Sequence, residues 1–223
     1  MRVRLFAAIR PPRPALDHLE NALRLLRGDD APGRASGGLR WTPPQDRHVT
    51  VAFFGEVPEG YLDDVAHGLD EVAAAHAPFE TALRGAGLFD GRTLWVGCSG
   101  DAWAPLMADA CRLGSDLLGR AEDRRSRPHL TIARSAGGRR AGERRSREGA
   151  TRPGGPGGSR APRHAGAAPP ADAATLAHAL ALYTGPQWSA GEVVLVSSRL
   201  GAGPGGSPLH EVVHRSSLGV VAG

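Results

Sequence analysis

Two stretches of this chain alternate polar and apolar residues in the same pattern, 81 residues apart. Residues 47–52 read Arg-His-Val-Thr-Val-Ala, and residues 127–133 read Arg-Pro-His-Leu-Thr-Ile-Ala. Such alternation predicts half-buried β-strands, because successive side chains of a strand point to opposite faces. In each strand the His and the Thr then share one face, while the apolar residues point into the core.

The pattern elsewhere predicts strands and helices in mixed order. Strands are expected at about 2–10, 46–54, 78–84, 92–98, 127–134, 191–200 and 208–215, with the last two forming a hairpin. Apolar residues at helical spacing predict helices at about 14–27, 59–76, 102–119 and 172–183. The mixture favours layered α+β or α/β architecture and argues against a helical bundle or a β-sandwich.

Residues 137–171 interrupt every pattern. They consist almost wholly of Gly, Arg, Ala, Pro and Ser, and they contain no Leu, Ile, Val or aromatic residue. A segment of this composition cannot bury enough apolar surface to offset the entropy of ordering, so we predict a disordered insert. It is either a solvated linker or an Arg-rich arm that contacts RNA, and the sequence leaves both open.

The positive charge is concentrated in that insert. All 27 basic residues are Arg, and eight of them lie in residues 137–171 beside only two Glu. The insert carries +6, which leaves −2 for the rest of a chain whose total is +4. The folded part is therefore not a broadly basic nucleic-acid binder, and any attraction to RNA is local to a cleft or resides in the insert.

The sequence gives no sign of a membrane span or a disulfide framework. Its longest apolar runs are too short to cross a bilayer, and its N-terminus interleaves charged and apolar residues, unlike a signal peptide. The two cysteines, Cys98 and Cys111, are too few for a disulfide scaffold or a metal cluster. We expect a monomeric cytoplasmic protein.

The repeated pattern predicts a site between two strands, with His48 and Thr50 on one side and His129 and Thr131 on the other. Near neutral pH one imidazole can accept a proton while the other donates one. A Thr hydroxyl two residues along the strand points the same way and can hydrogen-bond an anionic oxygen. In-line displacement at phosphorus needs a base, an acid and donors between them, which is this layout.

The remaining histidines lack this context. His214 begins a His-x-Ser sequence without flanking apolar residues, so it serves as an internal control at a predicted surface strand end. The others are expected to be structural or solvated, as a lone His usually is: His18, His67, His76, His164, His178 and His210.

Other chemistries fit the sequence poorly. Neither His/Thr motif has the helical spacing of metalloprotease His pairs, and the acid nearest to either motif is Asp46, so we expect no metal site there. The chain has no Gly-x-Ser-x-Gly elbow of a serine hydrolase. Without Lys it cannot form a Gly-Lys-Ser/Thr phosphate loop.

The paired sequences His48-Val49-Thr50-Val51 and His129-Leu130-Thr131-Ile132 resemble the His-x-Thr-x signature of the 2H phosphoesterases. Among these the chain looks most like the bacterial and archaeal RNA 2′,3′-cyclic phosphodiesterases, historically named 2′-5′ RNA ligases. The resemblance covers about residues 1–135 and 172–219 and includes Leu94-Trp95-Val96-Gly97 and Ser198-Arg199-Leu200. The long insert is the main departure, since relatives are usually shorter there.

This resemblance implies an α+β fold of two pseudo-symmetric lobes of antiparallel sheet plus helices around a central cleft. The two lobes would form one domain, residues 1–219, interrupted by the insert at 137–171. The implied activity is the cofactor-free and metal-independent opening of a terminal 2′,3′-cyclic phosphate of RNA or a nucleotide to a 2′-phosphate. The implied base is His129 and the implied acid is His48, while Thr50 and Thr131 hold phosphate oxygens.

Arg134 matches a family arginine that helps to bind phosphate. Strict alternation puts it on the face opposite His129, so it reaches the site only if the strand bends or ends there. Two alternatives stay open. One is a related enzyme that acts on another cyclic phosphate or joins RNA 2′-5′ reversibly, and the other is a non-catalytic protein that binds RNA ends through the insert.

Overall fold

The computed structural model describes residues 1–27, 35–36, 38–119, 127–135 and 172–219. The predicted insert at 137–171 lies outside these residues. The helices are α1 Arg13–Arg27, α2 Leu62–Ala74, α3 Trp103–Leu118 and α4 Ala173–Ala179. The strands are β1 Arg2–Ile9, β2 Ala35–Ser36, β3 Leu39–Trp41, β4 Val49–Pro58, β5 Phe79–Phe89, β6 Thr93–Cys98, β7 His129–Ser135, β8 Thr184–Ala190, β9 Glu192–Arg199 and β10 Leu209–Ser217.

The strands form one antiparallel sheet in the order β10-β9-β1-β4-β7-β6-β5-β8, and the short β3 pairs with β7 and with β2. The motif strands β4 and β7 are neighbours at its centre, joined by the backbone pair Val49–Leu130. In this order four strands lie on each side of the junction, and β2 and β3 add to the β7 side. Helices α2 and α3 pack against the β4 half, and α1 and α4 pack against the β7 half. The predicted α+β fold with two lobes is confirmed.

Several predicted boundaries are wrong for a physical reason. The helix expected at 172–183 ends at Ala179, and strand β8 begins at Thr184. Gly185 and Pro186 hide the strand from a reading of the sequence, because Pro is normally excluded from the middle of a sheet. Strand β8 tolerates Pro186 because it lies at the edge of the sheet. The first motif strand starts at Val49 rather than near residue 46, since residues 44–46 form a 3₁₀ turn. Strand β3 was missed because it is only three residues long.

The inner sides of both motif strands lie in the core as predicted. Val49, Val51, Leu130 and Ile132 are each fully buried, in one continuous apolar cluster with residues of all four helices. Burying an aliphatic side chain of this size stabilises the fold by about 1.5–3 kcal/mol. This packing fixes which face of each strand is left for polar side chains.

A buried ion pair holds the start of the first motif. Arg47 is only 1% exposed. Its Nη2 donates to Oε2 of Glu20 on α1 at 2.8 Å, and its Nε donates to the backbone oxygen of Thr42 at 3.1 Å. One guanidinium therefore ties helix α1 and the segment after β3 to the residue that precedes His48.

Replacing Arg47 with Ala should lower the free energy of unfolding by about 3–5 kcal/mol, because it removes the cation from a largely buried carboxylate. Urea unfolding followed by circular dichroism measures this. The matched control is Arg112→Ala, which breaks an exposed ion pair with Asp109 of 2.8 Å and should cost less than about 1 kcal/mol. Equal losses in the two variants would contradict the structural role of the buried pair.

Candidate active site

A cavity of about 690 Å³ lies where the two motif strands meet. Its wall includes all five residues singled out from the sequence: His48, Thr50, His129, Thr131 and Arg134. The structure thus brings both His/Thr pairs to one space. The cavity size lies within the range of pockets that bind small organic ligands.

The alternation of side chains along the two motif strands explains why the His and Thr side chains all face the cavity. His48 precedes and Thr50 follows the buried Val49, and both are partly exposed to the cavity. His129 and Thr131 flank the buried Leu130 in the same way. Because Val49 and Leu130 are also the paired residues of the two strands, the polar residues beside them are brought together.

A β-bulge in each motif strand then changes the phase of alternation. Along β7, Thr131 pairs with Trp95 and Ala133 pairs with Leu94, so Ile132 is an extra residue. Bulges of this kind redirect the side chains that follow them. Ala133 is accordingly buried, whereas Arg134 is exposed and lines the cavity. From the sequence, we expect Arg134 to reach the site only if the strand bends or ends there. This bulge supplies the bend.

The corresponding bulge in β4 lies at the equivalent residue. Thr50 pairs with Ala8 and Ala52 pairs with Ala7, so Val51 is extra. Val51 precedes Ile132 by the same 81 residues that separate the two histidines. The two halves therefore repeat the bulge as well as the motif.

Both motif histidines are anchored through the same ring nitrogen. Nδ1 of His48 donates to the backbone oxygen of Asp46 at 2.8 Å, and Nδ1 of His129 donates to the backbone oxygen of Arg127 at 2.7 Å. A carbonyl only accepts, so the hydrogen of each neutral ring resides on Nδ1. Nε2 is then the nitrogen through which each ring can accept or release a proton.

Aromatic rings hold both imidazoles in place. The ring of Phe6 stacks on His48 with centroids 4.8 Å apart and planes inclined by 28°. The ring of Phe89 meets His129 edge-on, with centroids 4.8 Å apart and planes inclined by 82°. Each imidazole is thus fixed by a hydrogen bond on one edge and by an aromatic contact.

Burial lowers the pKa of His48 to about 4. The hydrogen bond to the Asp46 carbonyl acts in the opposite direction, while the charges of His210, Arg10 and Arg134 lower the pKa further. At pH 7 His48 is therefore neutral, with an unprotonated Nε2.

A third imidazole, that of His210, also lines the cavity. It is not among the site residues predicted from the sequence. His210 of β10 meets His48 edge-on at a centroid distance of 5.4 Å and contacts Phe6 at 5.3 Å. Burial lowers its pKa, opposed by the nearby Asp46 carboxylate. Its Nδ1 is buried and makes no hydrogen bond with the described part of the protein. Our expectation that His210 is structural or solvated overlooked its place in this site.

The sequence carried only a weak signal for His210. Alternation along β10 puts it on the same face as Val212, but nothing in the sequence shows that this face meets His48. His214, the internal control, lies outside the cavity: its Nε2 is 2.8 Å from Oδ1 of Asp70 on α2. This contact also lowers the pKa of the Asp70 carboxyl. It fixes β10 to α2 and is structural.

The residues that the structure describes lack two kinds of feature. They contain no group of three or more His, Cys, Asp or Glu side chains arranged to hold a metal ion. No helix among them is both long and apolar enough to cross a membrane.

Comparison with known proteins identifies relatives. The model of the 2′-5′ RNA ligase superfamily matches residues 11–148. Relatives named RNA 2′,3′-cyclic phosphodiesterase include one from Methanothermobacter thermautotrophicus, 28% identical over 62% of this chain and 74% of its own. Another, from Geobacillus stearothermophilus, is 37% identical over 54% of this chain and 40% of its own.

Solved structures agree in fold. The crystal structure of TT0787 of Thermus thermophilus matches with a TM-score of 0.63 and 25% identity, over 96% of this chain and 97% of that one. Escherichia coli LigT, in a structure with phosphate, matches with a TM-score of 0.60 and 18% identity, over 98% of this chain and 99% of that one. The family model spans more than half of the sequence, and the chain belongs to the 2′-5′ RNA ligase superfamily.

Proposed function

We propose that this protein opens the terminal 2′,3′-cyclic phosphate of RNA to a 2′-phosphate, with His48 and His129 as the general acid and base. One observation carries the proposal: two imidazoles, each anchored through Nδ1 to the carbonyl two residues before it, line one cavity with their companion Thr hydroxyls. The names of the curated relatives support the same substrate class.

The reaction follows from the positions of these groups. The base removes a proton from water as its oxygen attacks phosphorus, opposite the bond to the ribose 3′ oxygen. That P–O bond breaks, the acid protonates the departing 3′ oxygen, and the phosphate stays on the 2′ oxygen. Proton transfers of this kind typically contribute about 10²–10⁴-fold to a rate.

Thr50, Thr131 and Arg134 are suited to the phosphate oxygens. The two hydroxyls sit two residues beyond the imidazoles, and the Arg134 guanidinium makes no ion pair with a described carboxylate. Donors placed in advance around a phosphate stabilise the charge that develops in the transition state. These three residues would do so without moving a proton.

We assign the base to His129 and the acid to His48. Because its pKa is low, His48 must gain a proton when substrate binds if it is to act as the acid. An anionic phosphate beside Nε2 favours the imidazolium form and so opposes the effect of burial. His48 is therefore expected to take up a proton when substrate binds.

Replacing either His48 or His129 with Ala should lower kcat by about 10²–10⁴-fold, because each change removes one proton transfer. The assay is hydrolysis of a cyclic-ended oligoribonucleotide in excess chelator, with the product phosphate located by ³¹P NMR. His178→Ala, on the exposed side of α4, is the matched control. Wild-type turnover in either motif variant would refute the assigned chemistry, and binding without turnover by the wild-type protein would favour an RNA-end-binding role.

The acid and base can be told apart with a substrate whose leaving group needs no proton. Bis(p-nitrophenyl) phosphate releases p-nitrophenolate, so loss of the acid should slow its hydrolysis much less than that of a cyclic phosphate. We expect His48→Ala to retain most of the wild-type activity on this ester and His129→Ala to lose it. The reverse outcome would exchange the two roles.

His48 should titrate near pH 4 in the free protein and at higher pH when a nucleotide 2′-phosphate is bound. Imidazole ¹⁵N NMR measures this, with the signal assigned by its loss in His48→Gln. The pKa of His48 is 6.5 in the unfolded chain and about 4 in the folded protein. Between these values the unfolded chain binds the proton more tightly, so the stability that neutral His48 contributes is complete above pH 6.5 and is lost as the pH falls towards 4. Titration of free His48 near 6.5 would show that burial does not control this ring.

A further inference from the structure

Arg40 lines the cavity, and the proposed reaction assigns it no role. It lies in the middle of β3, between the buried Leu39 and Trp41, and is itself exposed. Strand β3 pairs with β7 so that Arg40 is directly opposite Arg134. Both arginines line the cavity, one from each strand.

This pair of arginines is electrostatically unfavourable as it stands. Like charges directly opposite each other on neighbouring strands destabilise a sheet. Within the described residues no carboxylate forms an ion pair with either of them, and Asp46 is the one acid in the cavity wall. Two adjacent cations that face a cavity are suited to binding two anionic groups.

Arg40 also makes a hydrogen bond that fixes the position of its guanidinium group. Its Nη2 donates to the backbone oxygen of Gly205 at 2.7 Å, in the turn between β9 and β10. Arg40 thereby links the β7 half of the sheet to the turn between β9 and β10 in the β4 half, and Ser207 and Pro208 just after Gly205 line the cavity. A carbonyl leaves the positive charge in place, and a guanidinium has five N–H donors, so the group can still bind an anion.

We propose that Arg40 binds the internucleotide phosphate on the 5′ side of the cyclic phosphate, so that the substrate class is an oligonucleotide end rather than a free cyclic nucleotide. This inference rests on the proposed function, which assigns the cyclic phosphate to the His/Thr pairs and Arg134. Neighbouring strands are about 4.8 Å apart, so two cross-strand guanidinium groups can hold phosphates one nucleotide apart. A nucleotide that carries only the cyclic phosphate has no second phosphate, whereas an oligonucleotide end supplies one.

The test compares three substrates: a cyclic mononucleotide, a dinucleotide with a cyclic end, and the same dinucleotide with an uncharged methylphosphonate linkage. For the wild-type protein, the methylphosphonate should lower kcat/KM about 10–100-fold relative to the charged dinucleotide, as expected for a lost hydrogen bond to a charged group. This comparison requires no variant and so does not depend on the folding of one.

Arg40→Ala should lower kcat/KM on the charged dinucleotide at least tenfold more than on the mononucleotide, and it should remove the difference between the two dinucleotides. Arg215→Ala is the matched control, because Arg215 is an exposed arginine paired with Glu192 outside the cavity. Equal losses on all substrates would show that Arg40 serves only to hold the Gly205 turn, and no loss would exclude the subsite. Both outcomes overturn the inference, whereas no turnover of any substrate by the wild-type protein would overturn the proposed function itself.

Discussion

The backbone pair Val49–Leu130 joins the two halves of the sheet at the candidate site. Side chains on a strand alternate with a period of two, so a shift of this pairing by one residue would turn every side chain of a strand to the other face. The fully buried Val49, Val51, Leu130 and Ile132 prevent such a shift, because it would put the two aliphatic groups of one motif strand in the cavity and the polar residues of that strand in the core. The apolar residues of the motifs therefore position the polar ones.

Fixed orientation is the second constraint on the site. His48 and His129 each use Nδ1 to donate to the carbonyl two residues earlier, so Nε2 of each is left for chemistry. Phe6 and Phe89 restrict the remaining rotation of the rings. A general acid or base needs this preorganisation, because a proton is transferred only over a hydrogen-bond distance.

The two halves repeat their backbone but differ in their side chains. The bulge at Ile132 turns Arg134 towards the cavity, whereas the equivalent bulge at Val51 is followed by Phe53, which is 49% exposed and lies beneath the Arg4 guanidinium. His48 is flanked by the imidazole of His210, whereas the described ring neighbours of His129 are Phe89 and Trp95. Unlike surroundings are what allow one of two chemically identical groups to be the acid and the other the base. The repeated backbone positions the site, and the unlike side chains give its two histidines different surroundings.

The sequence by itself determined the strands that carry the motifs, the face of each that is polar, and four of the cavity residues, because a period of two is a local property of the chain. It did not determine β8, whose Gly and Pro are tolerated only at a sheet edge, or the place of His210, which depends on the pairing of β10 with β9 and of β9 with β1. Arg134 was identified by resemblance, but the bulge that turns it inward depends on its pairing with β6. Tertiary structure alone decided these features, because long-range strand pairing and burial set which side chains share a cavity and what their pKa values are.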